Sequence, residues 1–266
     1  MNNKTEFKIE KINERIYMIS EYGISNAYLV MGDEKSLLID CGIGIGNIAD
    51  CVKSLTDKPI ILAATHAHVD HIGAARQFGK IYIHKNDLPM VRYQSSHDYR
   101  CQYMEKHPSI RRYRLDPPSF AKQKPYLIII PFGNHHKFDL GNITVEAILT
   151  PGHSLGSVCY KIDTLKTLFV GDNYIPILNF RYAFSSTLTK WLKITKELFP
   201  LYADYAIYGG HGQHPVSYTT IKWQQETVER IISSTESNKS RNRRMVITLN
   251  NNEDHASVVY RTDRIL

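Results

Sequence analysis

Residues 66–71 read His-Ala-His-Val-Asp-His, which places three histidines and one aspartate within six positions. Imidazole nitrogen and carboxylate oxygen are ligands of zinc, and also of iron and manganese. His66 and His68 are two residues apart, so at the end of a strand their side chains project the same way. Asp70 and His71 follow the turn and can point in a second direction. One loop can therefore supply ligands to two neighbouring metal ions.

Three further candidate ligands each follow a predicted strand and lie beside glycine. They are His153 in Thr-Pro-Gly-His-Ser, Asp172 in Phe-Val-Gly-Asp and His211 in Tyr-Gly-Gly-His-Gly. Glycine allows a tight loop to bring the backbone close to a metal ion. The candidates then divide into two sets and a bridge: His66, His68 and His153 for one ion, Asp70, His71 and His211 for the other, and Asp172 between them.

Short strands and helices alternate along the chain, which favours one α/β domain with a sheet at its core. Strands are predicted for FKIEKI, IYMIS, NAYLVMG, SLLID, PIILAAT, IYIH, YLIII, NITVEAILT, SVCYKID, TLFVGD, DYAIYGG, MVITLN and ASVVYRT. Helices are predicted near residues 47–56, 73–78, 86–106, 185–198 and 216–234. The domain is expected to cover residues 1–266, with 85–126 inserted as a lid-like segment and 236–266 as a C-terminal β-like extension.

The chain resembles the metallo-β-lactamase superfamily of metallohydrolases over residues 15–214. The resemblance rests on LLIDCG at residues 37–42, on the HxHxDH loop, and on the PGHS, VGD and GGHG loops in that order. It implies the four-layer αβ/βα sandwich of this superfamily, with a dinuclear metal site at one edge. It also implies the two ligand sets given above, with Asp172 bridging the ions. Asp40 is expected to support the ligand loop from behind and to fix a histidine tautomer.

The bridging Asp172 and the complete histidine set favour the glyoxalase II-like, lactonase-like and phosphodiesterase-like branches of this superfamily, and the sequence TPGHSLGSVCYKI most resembles the glyoxalase II-like hydrolases. The resemblance implies hydrolysis of a small ester, thioester or lactone by a hydroxide that bridges two divalent ions. Zinc is the first choice, with iron and manganese as alternatives. Asp70 is expected to be a catalytic proton acceptor as well as a ligand. A phosphodiesterase acting on nucleotides or nucleic acid is the alternative, motivated by the net charge of +7.

A basic segment over residues 85–126 carries +5 of this net charge and interleaves tyrosines with arginine and lysine. A helical insertion is predicted here, and in the superfamily that the chain resembles such insertions often overhang the metal ions. Arg111, Arg112 and Arg114 are candidates to bind an anionic group of the substrate, since guanidinium matches carboxylate and phosphate. A solvated basic face is the alternative. Tyr174 is predicted either to contact substrate or to fill the core.

Composition and targeting signals narrow the class of protein further. The 266 residues are 42% hydrophobic and 22% charged, ordinary values for a globular protein, which argues against disorder and coiled coil. No apolar run approaches about 18 residues and the first residues lack a signal-peptide core, so we expect a cytoplasmic protein without a membrane partner. Four irregularly spaced cysteines predict free thiols. The expected partner is a small molecule, anionic in charge, rather than nucleic acid, and the oligomeric state is left open.

Overall fold

The computed structural model of the chain describes residues 7–106, 120–212, 215–236, 245–249 and 256–266. The chain forms two compact units, Met1–Glu146 and Ala147–Leu266. Strands and helices occur in both units, as the α/β prediction requires. The candidate anion-binding residues Arg111, Arg112 and Arg114 lie outside the described residues.

The first unit is built on a seven-stranded sheet whose strands follow chain order. They are β1 Phe7–Asn13, β2 Ile16–Glu21, β3 Ser25–Met31, β4 Ser36–Ile39, β5 Ile60–Ala63, β6 Lys80–His84 and β7 Ile128–Phe132. Strands β1 to β4 pair antiparallel, whereas β4 to β7 run parallel. Strand β8, His136–Asp139, and the start of β9, Thr144–Leu149, end the unit. The predicted strands in this half of the chain are confirmed.

Short helices follow the parallel strands of the first unit. In its described part these are α1 Ile48–Leu55, α2 Val69–Ile72, α3 Ala75–Phe78, α4 Leu88–Gln94 and α5 His97–Lys106. Helix α1 begins where the Asn47 side chain accepts the N–H of Asp50 at 3.1 Å, which satisfies a backbone donor at the helix end. Its buried residues include Ile48 and Val52, which belong to the main core cluster of this unit. An amphipathic sequence therefore packs its apolar face inward.

Parallel pairing brings two functional loops to one edge of this sheet. In the register of β4 and β5, Ile39 lies beside Ala63, and the backbone N–H of Asp40 donates to the carbonyl of Ala63 at 2.9 Å. Asp40 directly follows β4, and the loop containing Thr65 directly follows β5. Because the carboxyl ends of parallel strands share an edge, these two loops become neighbours.

The basic segment departs from the prediction of one helix over residues 86–106. The structure has two helices there, α4 and α5, which are separated by Ser95 and Ser96. The Ser96 hydroxyl accepts the backbone N–H of Tyr99 at 3.2 Å, so a side-chain cap starts the second helix. Arg100 in α5 is only 3% exposed, and burial lowers the pKa of its guanidinium to about 10. This part of the segment is therefore tied into the unit and is not a uniformly solvated face.

The second unit contains the remaining strands and two long helices. The described elements are the end of β9, β10 Val158–Ile162, β11 Thr167–Gly171, β12 Ile177–Phe180, α6 Leu188–Leu198, β13 Ala206–Gly209, α7 Tyr218–Glu236, β14 Met245–Leu249 and β15 Ser257–Arg261. Strands of this unit follow the order β13-β11-β10-β9 in one sheet and β12-β15-β14 in another. The predicted C-terminal β segments are thus strands β14 and β15. Strand β15 pairs with β12 in parallel and with β14 antiparallel.

Tyr174 fills the core of the second unit. Its side chain is fully buried, its hydroxyl lies 3.1 Å from Oγ1 of Thr195, and its ring contacts those of Trp191 and Phe199. Burial raises the pKa of the phenol well above its ordinary value, so the side chain stays neutral. The structure corrects the interpretation of Tyr174 as a substrate contact, because a side chain enclosed by the apolar core does not reach a bound molecule.

Candidate metal centre

The 66–71 loop of the first unit gathers four candidate ligands at the start of α2. Nε2 of His66 lies 3.0 Å from Nδ1 of His68, and Nε2 of His71 lies 3.9 Å from Oδ2 of Asp70. All four side chains are buried. The helix begins just after His68, so the chain turns between the two histidine positions and the Asp70–His71 pair.

Asp40 is hydrogen-bonded to both ends of this loop region, at Thr65 and at His71. Its Oδ1 accepts the backbone N–H of Thr65 at 2.7 Å, and its Oδ2 accepts the Thr65 hydroxyl at 2.8 Å. The same Oδ2 lies 2.9 Å from Nδ1 of His71. A carboxylate only accepts hydrogen bonds, so Nδ1 of His71 carries the proton and Nε2 keeps the lone pair that a metal ion needs. Asp40 has a φ of +60°, a backbone conformation that aspartate and asparagine tolerate better than most residues.

A buried carboxylate organises the glycine-rich turn that follows Asp40. Glu21 accepts backbone N–H groups of Ile43, Gly44 and Gly46 at 2.8, 2.9 and 2.7 Å. Burial raises the pKa of Glu21, and the three hydrogen bonds oppose that rise. Gly42 has a φ of +72°, and a Cβ there would lie 2.6 Å from Oε2 of Glu21. Sequence reasoning found the turn but missed Glu21, which looks like any other charged residue at a strand end.

Tyr103 is a second contact that sequence reasoning missed. Its hydroxyl donates to Oδ2 of Asp70 at 2.9 Å. The sequence places Tyr103 in the basic segment among several other tyrosines, and nothing local separates it from them. Only the packing of α5 selects this tyrosine for contact with a candidate ligand.

The second unit holds the other three candidate ligands, with His153 and His211 each close to Asp172. Oδ2 of Asp172 lies 3.5 Å from Nε2 of His153 and 3.2 Å from Nε2 of His211. Asp172 and His211 follow β11 and β13, which pair in parallel with Gly171 beside Gly209. Their loops therefore meet at one edge of the sheet, by the same rule that joins two loops in the first unit.

His153 is oriented by its neighbours within the second unit. Its Nδ1 lies 3.0 Å from the carbonyl of Asn179, and its backbone N–H donates to Oδ1 of Asn173 at 2.9 Å. A carbonyl accepts a hydrogen bond, so Nδ1 carries the proton and Nε2 is the nitrogen that faces Asp172 with a lone pair. A Cβ at Gly152 would lie 1.9 Å from Oδ1 of Asn173. Glycine is therefore required at this position for the asparagine to reach the backbone of His153.

The chemistry of the donor set fits a divalent metal ion. The candidates are five imidazoles and two carboxylates, and the chain has groups of them that could hold a metal ion. Neutral imidazole and carboxylate together suit zinc, iron and manganese, whereas calcium and magnesium prefer all-oxygen sites. The backing of His71 by Asp40 is the arrangement that metal-binding histidines usually show.

Residues 21–211 match the sequence profile of the metallo-beta-lactamase superfamily, which covers most of the chain. The chain belongs to the metallo-beta-lactamase superfamily. This confirms the resemblance on which the sequence interpretation rests. Curated relatives of the chain are named metallo-hydrolase and thioesterase.

Curated relatives of this metallo-beta-lactamase superfamily member are about a quarter identical to it over the aligned residues. Lactamase-like protein ptaB of Pestalotiopsis fici is 29% identical over 172 residues, covering 63% of this chain and 44% of ptaB. Human acyl-coenzyme A thioesterase MBLAC2 is 27% identical over 179 residues, covering 60% of this chain and 61% of MBLAC2. The probable metallo-hydrolase YqgX of Bacillus subtilis is 28% identical over 148 residues, covering 56% and 65%. The matches thus span from under half to about two thirds of these relatives.

Solved structures show the same fold. A metallo-beta-lactamase from Pontibacter korlensis has a TM-score of 0.60 at 18% identity and covers 82% of this chain and 99% of its own. The DIM-1 metallo-beta-lactamase has a TM-score of 0.58 at 16% identity, covering 85% and 98%. These likenesses confirm the predicted fold class of this superfamily member. None of the helices in the described ranges has the length and apolarity that a membrane crossing demands.

Proposed function

We propose that this chain is a dinuclear metal-dependent hydrolase that cleaves thioesters, or the closely related small esters and lactones. The observation that carries the proposal is the grouping of candidate ligands within each unit: four lie on the 66–71 loop of the first unit, and His153 and His211 lie beside Asp172 in the second. We assign His66, His68 and His153 to one ion, Asp70, His71 and His211 to the other, and Asp172 to both.

Asp172 is suited to bridge two ions because its Oδ2 lies near two imidazole nitrogens, at 3.5 Å from His153 and 3.2 Å from His211. Two bound divalent ions would supply a water nucleophile at neutral pH and polarise the carbonyl of the substrate. Asp40 keeps the proton of His71 on Nδ1. Asp70 is the group that we propose as the proton acceptor, since its Oδ2 lies 3.9 Å from Nε2 of His71, a candidate ligand.

The thioester is the preferred substrate bond because of the relatives. MBLAC2 is named an acyl-coenzyme A thioesterase, and nsrC of Aspergillus novofumigatus, 25% identical over 178 residues, is named an atrochrysone carboxyl ACP thioesterase. A thioester carbonyl is attacked more readily than a phosphodiester, and zinc sites serve such acyl transfer well. The expectation of zinc, with iron and manganese as alternatives, is part of this proposal.

Purified protein loaded with zinc tests the reaction class. We expect hydrolysis of butyryl-coenzyme A and of p-nitrophenyl acetate, with kcat/KM for the thioester the larger, and little cleavage of bis-p-nitrophenyl phosphate. Protein stripped of metal is the matched control and should be inactive on both acyl substrates. Faster cleavage of the phosphodiester than of either acyl substrate would replace this proposal with the phosphodiesterase alternative.

The charge of the basic segment supports an anionic substrate. Residues 85–126 carry +5 of the total of +7, and we propose that Arg111, Arg112 and Arg114 bind a negative group remote from the scissile bond. Reversal of these three charges should raise KM for butyryl-coenzyme A at least several-fold more than KM for neutral p-nitrophenyl acetate. Metal content should not change, because none of the three is an assigned ligand.

A matched control for charge alone uses exposed lysines of the second unit. Lys190 and Lys193 lie on α6 and Lys222 lies on α7, all with exposed side chains. Reversal of these three lysines changes the net charge by the same amount and should leave the KM ratio unaltered. An equal rise for both substrates, or an equal effect of the control, would reduce the segment to a solvated basic surface.

A further inference from the structure

We propose that Tyr103 is a positioning residue for Asp70, and through Asp70 for one of the two metal ions; the inference rests on the proposed function above. The Tyr103 hydroxyl donates to Oδ2 of Asp70 at 2.9 Å. The same oxygen lies 3.9 Å from Nε2 of His71, a ligand assigned to the same ion. A carboxylate oxygen has two lone pairs, so it can accept the hydroxyl with one and offer the other to a cation.

The phenol is delivered by a helix that is anchored on both sides of Tyr103. Three residues earlier in α5, Arg100 donates from Nε to the carbonyl of Ile43 at 2.8 Å and from Nη2 to the carbonyl of Gly44 at 2.9 Å. One residue later, Met104 is fully buried. Because the helix is fixed, the Tyr103 hydroxyl can hold the carboxylate of Asp70 in one orientation. A hydroxyl on a mobile loop would instead move together with the carboxylate.

The apolar packing of α5 also reaches the residue next to Asp70. Met104 shares a core cluster with Val69, and the Tyr103 ring packs against that cluster. The helix is thereby joined to the ligand loop by apolar contact as well as by the hydrogen bond. Movement of α5 relative to Asp70 would disrupt this cluster, so the geometry of the hydroxyl and the carboxylate is set by packing.

Asp70 has separate restraints on its backbone and its carboxylate. The Ser25 hydroxyl donates to the backbone carbonyl of Asp70 at 2.5 Å, which holds the main chain. Tyr103 acts on the side chain instead, at Oδ2. Removal of the Tyr103 hydroxyl should therefore leave the loop in place and free the carboxylate to rotate. The ion held by Asp70, His71 and His211 should bind more weakly, and the ion held by His66, His68 and His153 should not.

The test is Tyr103→Phe, which keeps the ring in its cluster and removes only the hydroxyl. Zinc affinity is measured by competition with a chromophoric chelator, starting from protein loaded with two ions. We expect one of the two dissociation constants to rise about 10- to 100-fold, the range for partners behind a ligand, and the other to stay within about twofold. Tyr93→Phe is the control, since Tyr93 is 58% exposed on the neighbouring helix, and it should change neither constant.

Three other outcomes have distinct meanings. Wild-type protein that binds fewer than two ions would overturn the proposed dinuclear site and the positioning role with it. Wild-type protein that binds two ions with both constants unchanged in Tyr103→Phe would overturn the positioning role alone. Similarly weaker binding of both ions, together with a lower Tm of the metal-free variant, would also overturn the positioning role. Such a result would indicate a general loss of packing.

Discussion

Replacement of Asp40 by asparagine should disable His71 as a metal ligand while leaving the backbone intact. Asparagine has nearly the same shape as aspartate, and it tolerates the φ of +60° at this position, which alanine would not. The substitution therefore changes hydrogen-bond chemistry with little strain. Asp40 uses both oxygens as acceptors for Thr65 and His71, and asparagine replaces one of these acceptors with a donor.

The favourable orientation of the new amide follows from the three contacts. Its oxygen would keep the 2.7 Å bond from the backbone N–H of Thr65. Its NH₂ group would then face the Thr65 hydroxyl, which can rotate to accept, and Nδ1 of His71, which can accept only if its proton moves to Nε2. A protonated Nε2 cannot bind a metal ion. The reverse orientation would set the NH₂ group against a buried backbone N–H.

The size of the effect follows from the buried groups. To bind metal, the Asp40→Asn variant must return His71 to the other tautomer and leave two donors facing each other. A buried unsatisfied donor costs about 1–3 kcal/mol. Because about 1.4 kcal/mol corresponds to a tenfold change in affinity, one zinc ion should bind about 10- to 100-fold more weakly. Backing residues of metal-bound histidines show losses in the same range.

Two measurements on Asp40→Asn separate the tautomer from general damage. Long-range ¹H–¹⁵N spectra of the metal-free protein should show His71 protonated at Nε2 in the variant and at Nδ1 in the wild type. Chelator competition should show one weakened ion. Asp57→Asn, at an exposed position, is the control and should match the wild type. Unchanged zinc affinity, or an Nδ1-protonated His71 in the variant, would refute the tautomer argument.

Three further predictions concern the bridge, the glycine-rich turn and the cysteines. Asp172→Ala should lose at least one metal ion and most hydrolytic activity; full metal content by elemental analysis would contradict the bridging role. Burial raises the pKa of Glu21 above its ordinary value. The protonated Glu21 side chain therefore adds to the free energy of unfolding below the pKa of the unfolded chain, and this stability is lost as pH rises through the pKa of the folded protein. Glu21→Gln should reduce the change of Tm with pH between these two pKa values. Thiol titration should find four free cysteines after denaturation. In the folded protein the buried thiols of Cys41 and Cys159 should not react, because burial raises their pKa, that of Cys159 to about 12.

Much of the fold and the candidate ligand set could be predicted from sequence because both depend on patterns within short segments of the chain. The segments that carry the candidate ligands each follow a strand whose apolar pattern marks it, as the His153 loop follows ITVEAIL and the Asp172 loop follows TLFV. A strand end fixes where the next side chains point over a few residues. The division of the 66–71 loop into two ligand pairs could be predicted for the same reason, and it stays a prediction.

Tertiary structure alone determines which side chains contact the candidate ligands and their loops. Glu21 reaches residues more than 20 positions away, and Tyr103 reaches Asp70 across 33 positions. Tyr174 had a prominent position beside Asp172, yet its side chain points into the core. A tyrosine has the same apolar ring and polar hydroxyl wherever it lies in the sequence. Which tyrosine contacts a ligand and which fills the core depends on how each helix and strand packs, and that packing is set by apolar contacts between segments far apart in the chain.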